Sequence, residues 1–521
     1  MTSQPNFLYV MVDQHRADWL GCYGHPVVKT PNIDALAASG TRFDEFHVAT
    51  PICMPNRASF MTGRMPSVNG LRYNGCALPA RANTFVDVLR ASGYATASIG
   101  KSHLQPMTAM QARHSGSVPN GPIAEAWQAD TDRYDFEEPP RYQRDEPAPF
   151  PTPYYGFDHV DMVTAHGDKA NGHYRQWFRR QHPNWEALHD PANELPHDYG
   201  CPQAYRTPVP EASYPTAYIR DRAADYLRDH ADDRQPFFCY VSFPDPHHPF
   251  NPPGKYWNLY DPDDFELETR FEDHRNPPPP LLAARRYFEE HGGGQQTPQH
   301  AFMATDRHVR EAMALTAGMI TMIDDAVGAL VQTLKDTGHY DNTVIVFNAD
   351  HGDYLGDFNL LQKGAWAQRS IHRVPMIWSD PSTRTARSST ALASTIDIAA
   401  TVLDRVGVDP YNGMQGRSFL EAVHGDATHR DALLIEFNDG FARDGFQESA
   451  RVRTVVTHDW QLSVYKDQDW GELYDLANDP KQTHNLWDNP DHAATKARLF
   501  ETLTQLLIGQ MDDSPLSRRL A

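Results

Sequence analysis

The stretch Pro5-Asn6-Phe7-Leu8-Tyr9-Val10-Met11-Val12-Asp13 decides how the fold begins. Its apolar run is short, contains aromatic and β-branched residues, and predicts a buried strand over residues 7–12 that ends at Asp13. A second strand is predicted over residues 343–347 and leads into Asp350-His351-Gly352. Because open α/β sheets build their sites at the carboxyl ends of strands, these polar residues are candidates for function.

Helical and extended patterns alternate between these two strands. Capping signals and amphipathic periodicity predict helices over residues 31–39, 83–90 and about 310–335, and apolar runs predict strands over residues 95–99 and 236–243. Strands that alternate with helices in this way form a mainly parallel sheet that is covered on both faces. The predicted fold class is therefore α/β, with a large mixed, mainly parallel sheet sandwiched by helices.

The pattern changes beyond about residue 425. Short alternating strands are predicted over residues 433–437, 451–456 and 460–465, and a final helix over residues 493–507. A chain of 521 residues also exceeds the size at which one core keeps growing. We therefore predict a catalytic domain over residues 1–425 and a small C-terminal subdomain over residues 426–521, formed by an antiparallel sheet with a helix.

Two segments interrupt the alternation, at residues 137–155 and 275–300. The second contains four consecutive prolines at residues 277–280 and three consecutive glycines at residues 292–294. Both are predicted to be surface loops, with a lid or a subunit contact as the alternative for loops this long.

Charge and cysteine content exclude several classes of protein. The formal net charge is -21, from 47 basic and 68 acidic residues, so nucleic acid is not an expected partner, although a small anion could bind where basic residues converge. The five cysteines are odd in number and lack C-x-x-C spacing, which argues against a disulfide framework or a zinc ribbon. The polar N-terminus predicts neither a secretory signal nor a membrane span, so the protein is expected to be cytoplasmic with no membrane partner.

The segment Cys53-Met54-Pro55-Asn56-Arg57 carries a cysteine two residues before a proline and four before an arginine. Taken alone, Cys53 could equally be a small buried hydrophobe. Further along the chain are other motifs with the residue types of a hydrolytic site: Thr62-Gly63-Arg64, Gly100-Lys101-Ser102-His103, Pro246-His247-His248-Pro249, Lys363, and Leu473-Tyr474-Asp475-Leu476 with Asp479-Pro480.

In order and spacing, these motifs resemble those of the type I formylglycine-dependent sulfatases, which belong to the alkaline phosphatase superfamily together with the phosphonate monoester hydrolases. The resemblance covers nearly the whole chain and implies an alkaline phosphatase-like fold. It also implies that a formylglycine-generating enzyme oxidises Cys53 to an aldehyde. The hydrated aldehyde would attack the sulfur of a sulfate monoester, form a covalent sulfo-enzyme intermediate, and then expel sulfate.

A metal site is expected beside this nucleophile. Asp13, Asp350 and His351 each follow a predicted strand, and the matured Cys53 would add an oxygen, so the set suits a hard divalent cation. The resemblance favours Ca²⁺, with Mn²⁺ or Mg²⁺ open. Many sulfatases have a second aspartate where this chain has Gln14, which can offer only a carbonyl oxygen. For either aspartate alone, a helix cap or a loop acid is the alternative.

Basic and polar residues complete the expected site. Arg57 would lie one helical turn after Cys53 if a helix begins there, and Lys101 and His103 would share one face of an extended segment. The resemblance assigns contacts with the formylglycine hydroxyl to these two, with His103 as the base that regenerates the aldehyde. The remaining expected substrate contacts are His247, for which His248 is the competing candidate, Lys363, and Asn74, which is equally part of a turn signal.

Three functions are compatible with these residues. The first is hydrolysis of sulfate monoesters with an aryl or other small leaving group. The second is a phosphonate monoester hydrolase or phosphodiesterase with secondary sulfatase activity. Gln14 and His351 are compatible with the second, whereas Lys101 and His103 favour the first because phosphonate hydrolases tend to carry Tyr and Thr there. The third is a silent binding protein, which predicts degraded site residues, and none is missing. By analogy with related hydrolases, a homo-oligomer is also expected.

Overall fold

The computed structural model describes residues 4–112, 122–123, 125–128, 132–294, 300–425 and 428–520. Its strands, in chain order, are β1 (Asn6–Val12), β2 (Thr41–Phe43), β3 (Phe46–His47), β4 (Ala95–Gly100), β5 (His159–Thr164), β6 (Asn171–Gly172), β7 (Phe237–Phe243), β8 (Phe302–Met303), β9 (Thr343–Ala349), β10 (Leu360–Leu361), β11 (Met376–Ser379), β12 (Arg387–Ser389), β13 (Ala393–Ser394), β14 (Leu433–Asn438), β15 (Arg451–Val456), β16 (Trp460–Tyr465) and β17 (Gly471–Asp475).

The α-helices are α1 (Pro31–Ala38), α2 (Cys53–Thr62), α3 (Pro66–Asn69), α4 (Phe85–Ala91), α5 (His173–Gln181), α6 (Trp185–His189), α7 (Pro215–Asp229), α8 (Pro279–His291), α9 (Asp306–Asp336), α10 (Arg369–His372), α11 (Thr395–Val406), α12 (Leu420–His424) and α13 (Ala493–Gly509). Short 3₁₀ turns connect several of these elements.

The large sheet has nine strands in the order β12-β2-β11-β9-β1-β7-β4-β5-β6. The five strands from β9 to β5 are mutually parallel. β11 runs antiparallel to both of its neighbours, and β6 runs antiparallel to β5. The sheet is therefore mixed and mainly parallel, as the sequence predicted.

Two groups of helices cover this sheet. α1, α7 and α9 pack together, and α2, α4 and α11 form a second group. The second group meets the sheet through aromatic rings, since Tyr9 of β1 lies 4.7 Å from Phe60 of α2 between ring centroids and Phe60 lies 5.3 Å from Phe85 of α4. Every residue of β1, β7 and β9 is buried. This is the burial expected for parallel strands between two helical layers.

α9 is the longest helix in the described part of the chain. By length and composition it could cross a membrane, with a mean hydropathy of 1.5 in its most apolar window, but 72% of that window is buried inside the molecule. Burial of this kind is typical of the central helix of a large α/β core.

The C-terminal part contains a separate four-stranded antiparallel sheet in the order β14-β15-β16-β17. α13 packs against this sheet through Leu499 and Leu503. Both elements lie within the predicted subdomain, and the small antiparallel sheet with a helix is confirmed. The boundary at residue 425 stays a prediction.

The segment 275–300 differs from its prediction as a loop. Within it, α8 spans Pro279–His291, and residues 295–299 lie outside the described residues. Prolines are tolerated in the first turn of a helix, where the missing N–H needs no partner. Gly292 ends the helix with a positive φ of 73°. The prolines and glycines therefore bracket a helix rather than fill a loop.

Asp380 follows β11, and its ionisation should make the stability of the fold depend on pH. Its buried carboxylate accepts hydrogen bonds from Arg405 Nε at 2.6 Å and Nη2 at 2.9 Å. Burial raises the pKa of Asp380, but Arg405 and Ser382 outweigh burial and lower this pKa to about 2. The ionised carboxylate therefore stabilises the fold above about pH 4, and this contribution is lost as the pH falls toward 2.

We expect Asp380→Asn to lower the free energy of unfolding by about 2 kcal/mol near neutral pH, from the size of the pKa shift. The difference from wild type should shrink below about pH 4 because the wild-type carboxylate then takes up a proton. Urea denaturation at several pH values measures both quantities. If the difference in free energy of unfolding between wild type and Asp380→Asn stayed constant down to about pH 3, this role of the ion pair would be contradicted.

Candidate active site

Five parallel strands direct their carboxyl ends to one edge of the large sheet, and a polar residue follows each of them closely. They are Asp350 and His351 after β9, Asp13 after β1, His247 after β7, Lys101 after β4, and His166 after β5. Neighbouring strands such as β1 and β9 pair in register up to Val12 and Ala349, so the residues that follow start at the same level. The parallel sheet thus brings together residues that lie far apart in the chain.

α2 supplies Cys53 and Arg57 to this centre. The helix begins at Cys53 and ends before Gly63, which has a positive φ of 61°. Cys53 is 2% exposed, and its Sγ lies 3.1 Å from His351 Nε2. Asn74 Oδ1 accepts a hydrogen bond from the Met54 N–H at 3.2 Å, so it holds the first turn of the helix. The position of Arg57 one turn after Cys53 is confirmed.

The positive charges of Arg57 and Lys101 offset the negative charges of the two buried aspartates, Asp13 and Asp350. Arg57 Nε donates to Asp350 Oδ2 at 2.8 Å, and its Nη2 lies 3.7 Å from Asp13 Oδ2. Lys101 Nζ forms an ion pair with Asp13 Oδ2. Arg57 Nη1 also donates to the Lys101 carbonyl at 2.7 Å and to Ser242 Oγ at 2.8 Å. Two carboxylates and two cations are therefore held together in a buried network.

Asp13, Cys53, Asp350 and His351 are arranged as a possible metal site. One ligand atom from each lies within 4.8 Å of the others, and all four residues are buried. Ligands at about 2.3–2.6 Å from a shared cation would be separated by no more than about this distance. Asp13 Oδ1 is buried and accepts no hydrogen bond from the described residues. The donor set and its spacing fit a hard divalent cation once an oxygen replaces the sulfur at position 53.

Gln14 follows Asp13 with a left-handed backbone, at a φ of 62°. Its amide Nε2 donates to Asp353 Oδ2 at 2.5 Å, and its Oε1 accepts from Lys363 Nζ at 2.7 Å. Its backbone N–H also donates to Asp350 Oδ1 at 3.1 Å. The carbonyl oxygen thus faces Lys363 at the border of the carboxylate pair, and metal ligation by Gln14 stays a prediction.

Three imidazoles lie together at the site beside Lys101 and Lys363. The rings of His166 and His247 are stacked, with centroids 3.6 Å apart, and His248 lies against His247. Lys101 Nζ lies 2.6 Å from His166 Nε2, and Lys363 Nζ lies 3.3 Å from His247 Nε2. Burial, reinforced by the nearby cations, lowers the pKa of all three, to about 3 for His166. Neutral imidazoles can therefore accept hydrogen bonds from both lysines.

The charges around Cys53 act on its thiol and on its neighbours. Burial and Asp13 raise the pKa of Cys53, but Lys363, His351 and Lys101 outweigh them, and the net shift is downward. Burial and Lys363 lower the pKa of His351, yet Asp350, Cys53 and Asp13 prevail and raise it to about 10. The centre therefore favours an anion at position 53.

His103 lies near this centre, but not on the extended segment that its spacing predicted. Its φ is 56°, in the left-handed region. The buried Glu137 carboxylate accepts a hydrogen bond from the His103 backbone N–H at 2.8 Å and also binds the next two N–H groups. Burial and then Lys101 lower the pKa of His103, and its Nδ1 has no hydrogen-bond partner among the described residues. The ring is therefore neutral, with one nitrogen free of hydrogen bonds to the described residues.

Three residues of this site were not predicted from the sequence. His166 could have been found by the rule applied to Asp13, because it follows β5, but the charged residues in that strand hid it. Asn56 donates to the Asp350 carbonyl at 2.6 Å and accepts from the Ala49 N–H at 3.1 Å. Glu137 binds backbone groups, for which the sequence carries no signal.

Comparison with known proteins identifies the family of this chain. The sulfatase family model matches residues 5–408, and the model of the C-terminal region of N-sulphoglucosamine sulphohydrolase matches residues 356–508. The chain therefore belongs to the sulfatase family. It is a sulfuric ester hydrolase with the fold of the alkaline phosphatase superfamily.

Individual relatives cover almost the whole chain. An arylsulfatase of Clostridium perfringens is 26% identical over 515 residues, which cover 98% of this chain and 95% of the relative. A choline-sulfatase of Rhizobium meliloti is 25% identical over 506 residues, which cover 96% and 85%. The crystal structure of the phosphonate monoester hydrolase of Agrobacterium radiobacter superposes with a TM-score of 0.76 at 24% identity, covering 99% of this chain and 100% of that one. This last likeness concerns the fold.

Proposed function

We propose that this protein hydrolyses sulfate monoesters with an aryl or similarly small leaving group, using a formylglycine made from Cys53 as the nucleophile. The observation that carries the proposal is the position of Cys53 at the start of α2, in contact with His351 and grouped with Asp13 and Asp350. A thiolate is a soft partner for a hard cation, whereas a hydrated aldehyde offers two hydroxyl oxygens. A formylglycine-generating enzyme would carry out this maturation.

The cation that we propose is Ca²⁺, with Mn²⁺ and Mg²⁺ as alternatives. Asp13, Asp350, His351 and the oxygen of matured residue 53 would hold it, with the Gln14 carbonyl as a further ligand. When bound, a divalent cation lowers the pKa of a nucleophilic hydroxyl and offsets the charge of the sulfate group. Arg57 orients the Asp350 carboxylate through its hydrogen bond at 2.8 Å.

Water and the chain's own residues would carry the protons of the reaction. The attacking hydroxyl of residue 53 would give its proton to water as its oxygen bonds to sulfur, the bond from sulfur to the alcohol oxygen would break, and a covalent sulfate ester would remain on residue 53. Lys363, beside His247, is placed to hold sulfate oxygens and protonate the departing alcohol. His103 then takes the proton of the second hydroxyl, the aldehyde re-forms, sulfate leaves, and water restores the diol.

Lys101 and His166 support this centre. Lys101 Nζ lies between the Asp13 carboxylate and His166 Nε2, so its direction is fixed from two sides. A cation held in this way stabilises negative charge on the nucleophile and on the sulfate. His166 also stacks on His247, which limits rotation of that ring.

A phosphonate monoester hydrolase or phosphodiesterase with secondary sulfatase activity is the second candidate. Gln14 and His351 are the residues that favour it, by resemblance to those enzymes. Lys101 and His103 oppose it, because the phosphonate hydrolases tend to carry Tyr and Thr at these positions. The placement of both side chains beside Asp13 and Arg57 supports the sulfatase.

The two candidates are separated by kinetics on esters of the same phenol. We expect the matured enzyme to hydrolyse 4-nitrophenyl sulfate with a kcat/KM at least about tenfold higher than that for 4-nitrophenyl phenylphosphonate, since differences in contacts to the transferred group alone produce discrimination of this size. Because both esters have the same leaving group, the ratio of the two kcat/KM values measures the preference for sulfate or phosphonate as the transferred group. A preference for the phosphonate of similar size would reverse the assignment.

We further propose a cytoplasmic homo-oligomer that acts on small anionic esters. All five cysteines are free thiols in the structure, which is common in reducing compartments. The oligomer rests on analogy with related hydrolases, and residues 137–155 and 275–300 are the proposed contacts. Light scattering on the purified protein tests the subunit number, and a monomer at micromolar concentration would contradict it.

A further inference from the structure

The segment that follows Lys363 lies against the C-terminal sheet. Lys363 is followed by residues 364–369, and side chains or backbone groups of the C-terminal part bind three consecutive residues of this segment. The hydrogen bonds are Gln461 Nε2 to the Ala367 carbonyl at 2.5 Å, Gln368 Nε2 to the Lys481 carbonyl at 3.0 Å, and the Arg369 N–H to Gln482 Oε1 at 2.7 Å. The proposed substrate-binding lysine is therefore carried by a segment that a second sheet holds in place.

Glu472 of β17 is the centre of this contact. Its carboxylate is fully buried and accepts hydrogen bonds from Trp366 Nε1 at 2.6 Å, from the Tyr474 hydroxyl at 2.8 Å, and from the Tyr465 hydroxyl. A buried carboxylate is costly unless such donors surround it, and three donors fix its position. Two of the donors belong to the C-terminal sheet, and the third is the indole three residues after Lys363.

Trp366 transmits this constraint to the backbone. The side chain is 2% exposed and packs against Tyr354 and Phe358, with ring centroids 5.6 Å and 5.1 Å away. The Trp366 carbonyl also accepts a hydrogen bond from the Tyr354 hydroxyl at 2.6 Å. Loss of the bond to Glu472 would remove the contact with the C-terminal sheet that lies nearest to Lys363 through a side chain, while the bonds to residues 367–369 would remain.

The position of Lys363 leaves little room for such a shift. Its Nζ lies 2.7 Å from Gln14 Oε1 and 3.3 Å from His247 Nε2, while its carbonyl accepts from the Ala301 N–H at 2.9 Å. A displacement of about 1 Å is enough to cost a large part of a catalytic contribution.

We infer that Glu472 is a positioning residue for Lys363: through the Trp366 indole, the small C-terminal sheet sets the distance between the Lys363 ammonium and the reacting sulfate group. The inference rests on the proposed function. It makes the C-terminal sheet a functional part of the site through the position of Lys363.

The test compares Glu472→Leu, Trp366→Phe and Glu472→Gln in the matured protein with 4-nitrophenyl sulfate as substrate. Glu472→Leu removes the acceptor, and Trp366→Phe removes the donor while keeping an aromatic ring. We expect both to lower kcat/KM by about 10- to 100-fold. Glu472→Gln should remain within about threefold of wild type, because its amide oxygen can still accept from the indole.

A double-mutant cycle separates positioning from a general loss of structure. In a Lys363→Ala background, we expect Glu472→Leu to change kcat/KM by less than about twofold, since the lysine to be positioned is absent. Leu499→Ala is the matched control, because Leu499 is buried between α13 and the C-terminal sheet and touches none of residues 363–369. It should lower stability and leave kcat/KM unchanged. Equal losses from Glu472→Leu with and without Lys363 would overturn the inference.

Crystal structures of wild type and Glu472→Leu give a readout that needs no turnover. The inference requires Lys363 Nζ to move away from Gln14 Oε1 in the variant. If wild type does not hydrolyse the sulfate ester and Nζ still moves, the proposed function fails and the positioning contact stands. If Nζ stays in place, the inference fails whatever the activity.

Discussion

Replacing Cys53 by alanine is expected to lower kcat for aryl sulfate hydrolysis by at least about 10⁴-fold, because removal of a nucleophile leaves only the binding and electrostatic contributions of the site. KM should change much less, since Lys363 and His247, the proposed contacts of the sulfate oxygens, are retained. Alanine fits the buried position next to His351 without adding volume. Activity and protein folding can therefore be measured on the same sample.

Mass spectrometry of the peptide that contains residue 53 ties this result to the aldehyde. In wild-type preparations made with different amounts of maturation enzyme, kcat should rise in proportion to the fraction of peptide that carries formylglycine. Cys22→Ala is the matched control because Cys22 is a free thiol outside the site, and it should leave kcat unchanged. Full activity in a preparation whose residue 53 is entirely thiol would reject the aldehyde as nucleophile.

The second large effect is expected at Asp13. We expect Asp13→Asn to lower the affinity for the divalent cation by about 100-fold or more and kcat/KM by about 10³-fold, which corresponds to about 4 kcal/mol of lost transition-state stabilisation. The substitution keeps the size of the side chain and removes the charge that faces Lys101 and Arg57. Bound metal per chain, measured by elemental analysis after dialysis, gives the first quantity without a kinetic assay.

Loss of Asp13 also leaves the buried Lys101 ammonium without its nearest counter-charge, which destabilises the fold. The double variant Asp13→Asn with Lys101→Met removes both charges and should fold better than the single variant while binding as little metal. Asp380→Asn removes a buried carboxylate at the opposite edge of the sheet, where β11 ends beside the start of β9, and should keep the full metal content. If Asp13→Asn retains stoichiometric metal, the cation lies elsewhere.

The parallel strands were predictable because a strand that is buried on both faces has a continuous run of apolar residues. β1 is predicted over residues 7–12 and observed at Asn6–Val12, and β9 is predicted over residues 343–347 and observed at Thr343–Ala349. The polar residues that follow such runs identified Asp13, Asp350 and His351 without knowledge of the fold. By contrast, the first half of β5 is exposed or half-buried and only its last three residues are buried, so the strand has no continuous apolar run and the histidine that follows it was not predicted.

Contacts between distant segments were not predictable. Trp366 and Glu472 are 106 positions apart, and neither the indole nor the carboxylate has a pattern that reveals the other. The left-handed backbone at Gln14 and His103 is likewise set by partners such as Asp353 and Glu137, since neither residue type requires this conformation. Spacing alone therefore placed His103 near the site with the wrong backbone geometry.

The side chains proposed to meet the sulfate group are all nearly closed off from solvent: Lys101, His103, His247 and Lys363 are each at most 5% exposed, whereas Asn74 beside them is exposed. In the proposed function, the tetrahedral sulfate group would therefore enter this buried centre, and the alcohol portion would lie toward the exposed residues around it. Specificity for a new alcohol can then evolve by substitutions among the exposed residues around the site, while the buried catalytic residues stay the same. One ancestral catalytic centre could in this way serve enzymes that act on sulfate esters of chemically unrelated alcohols.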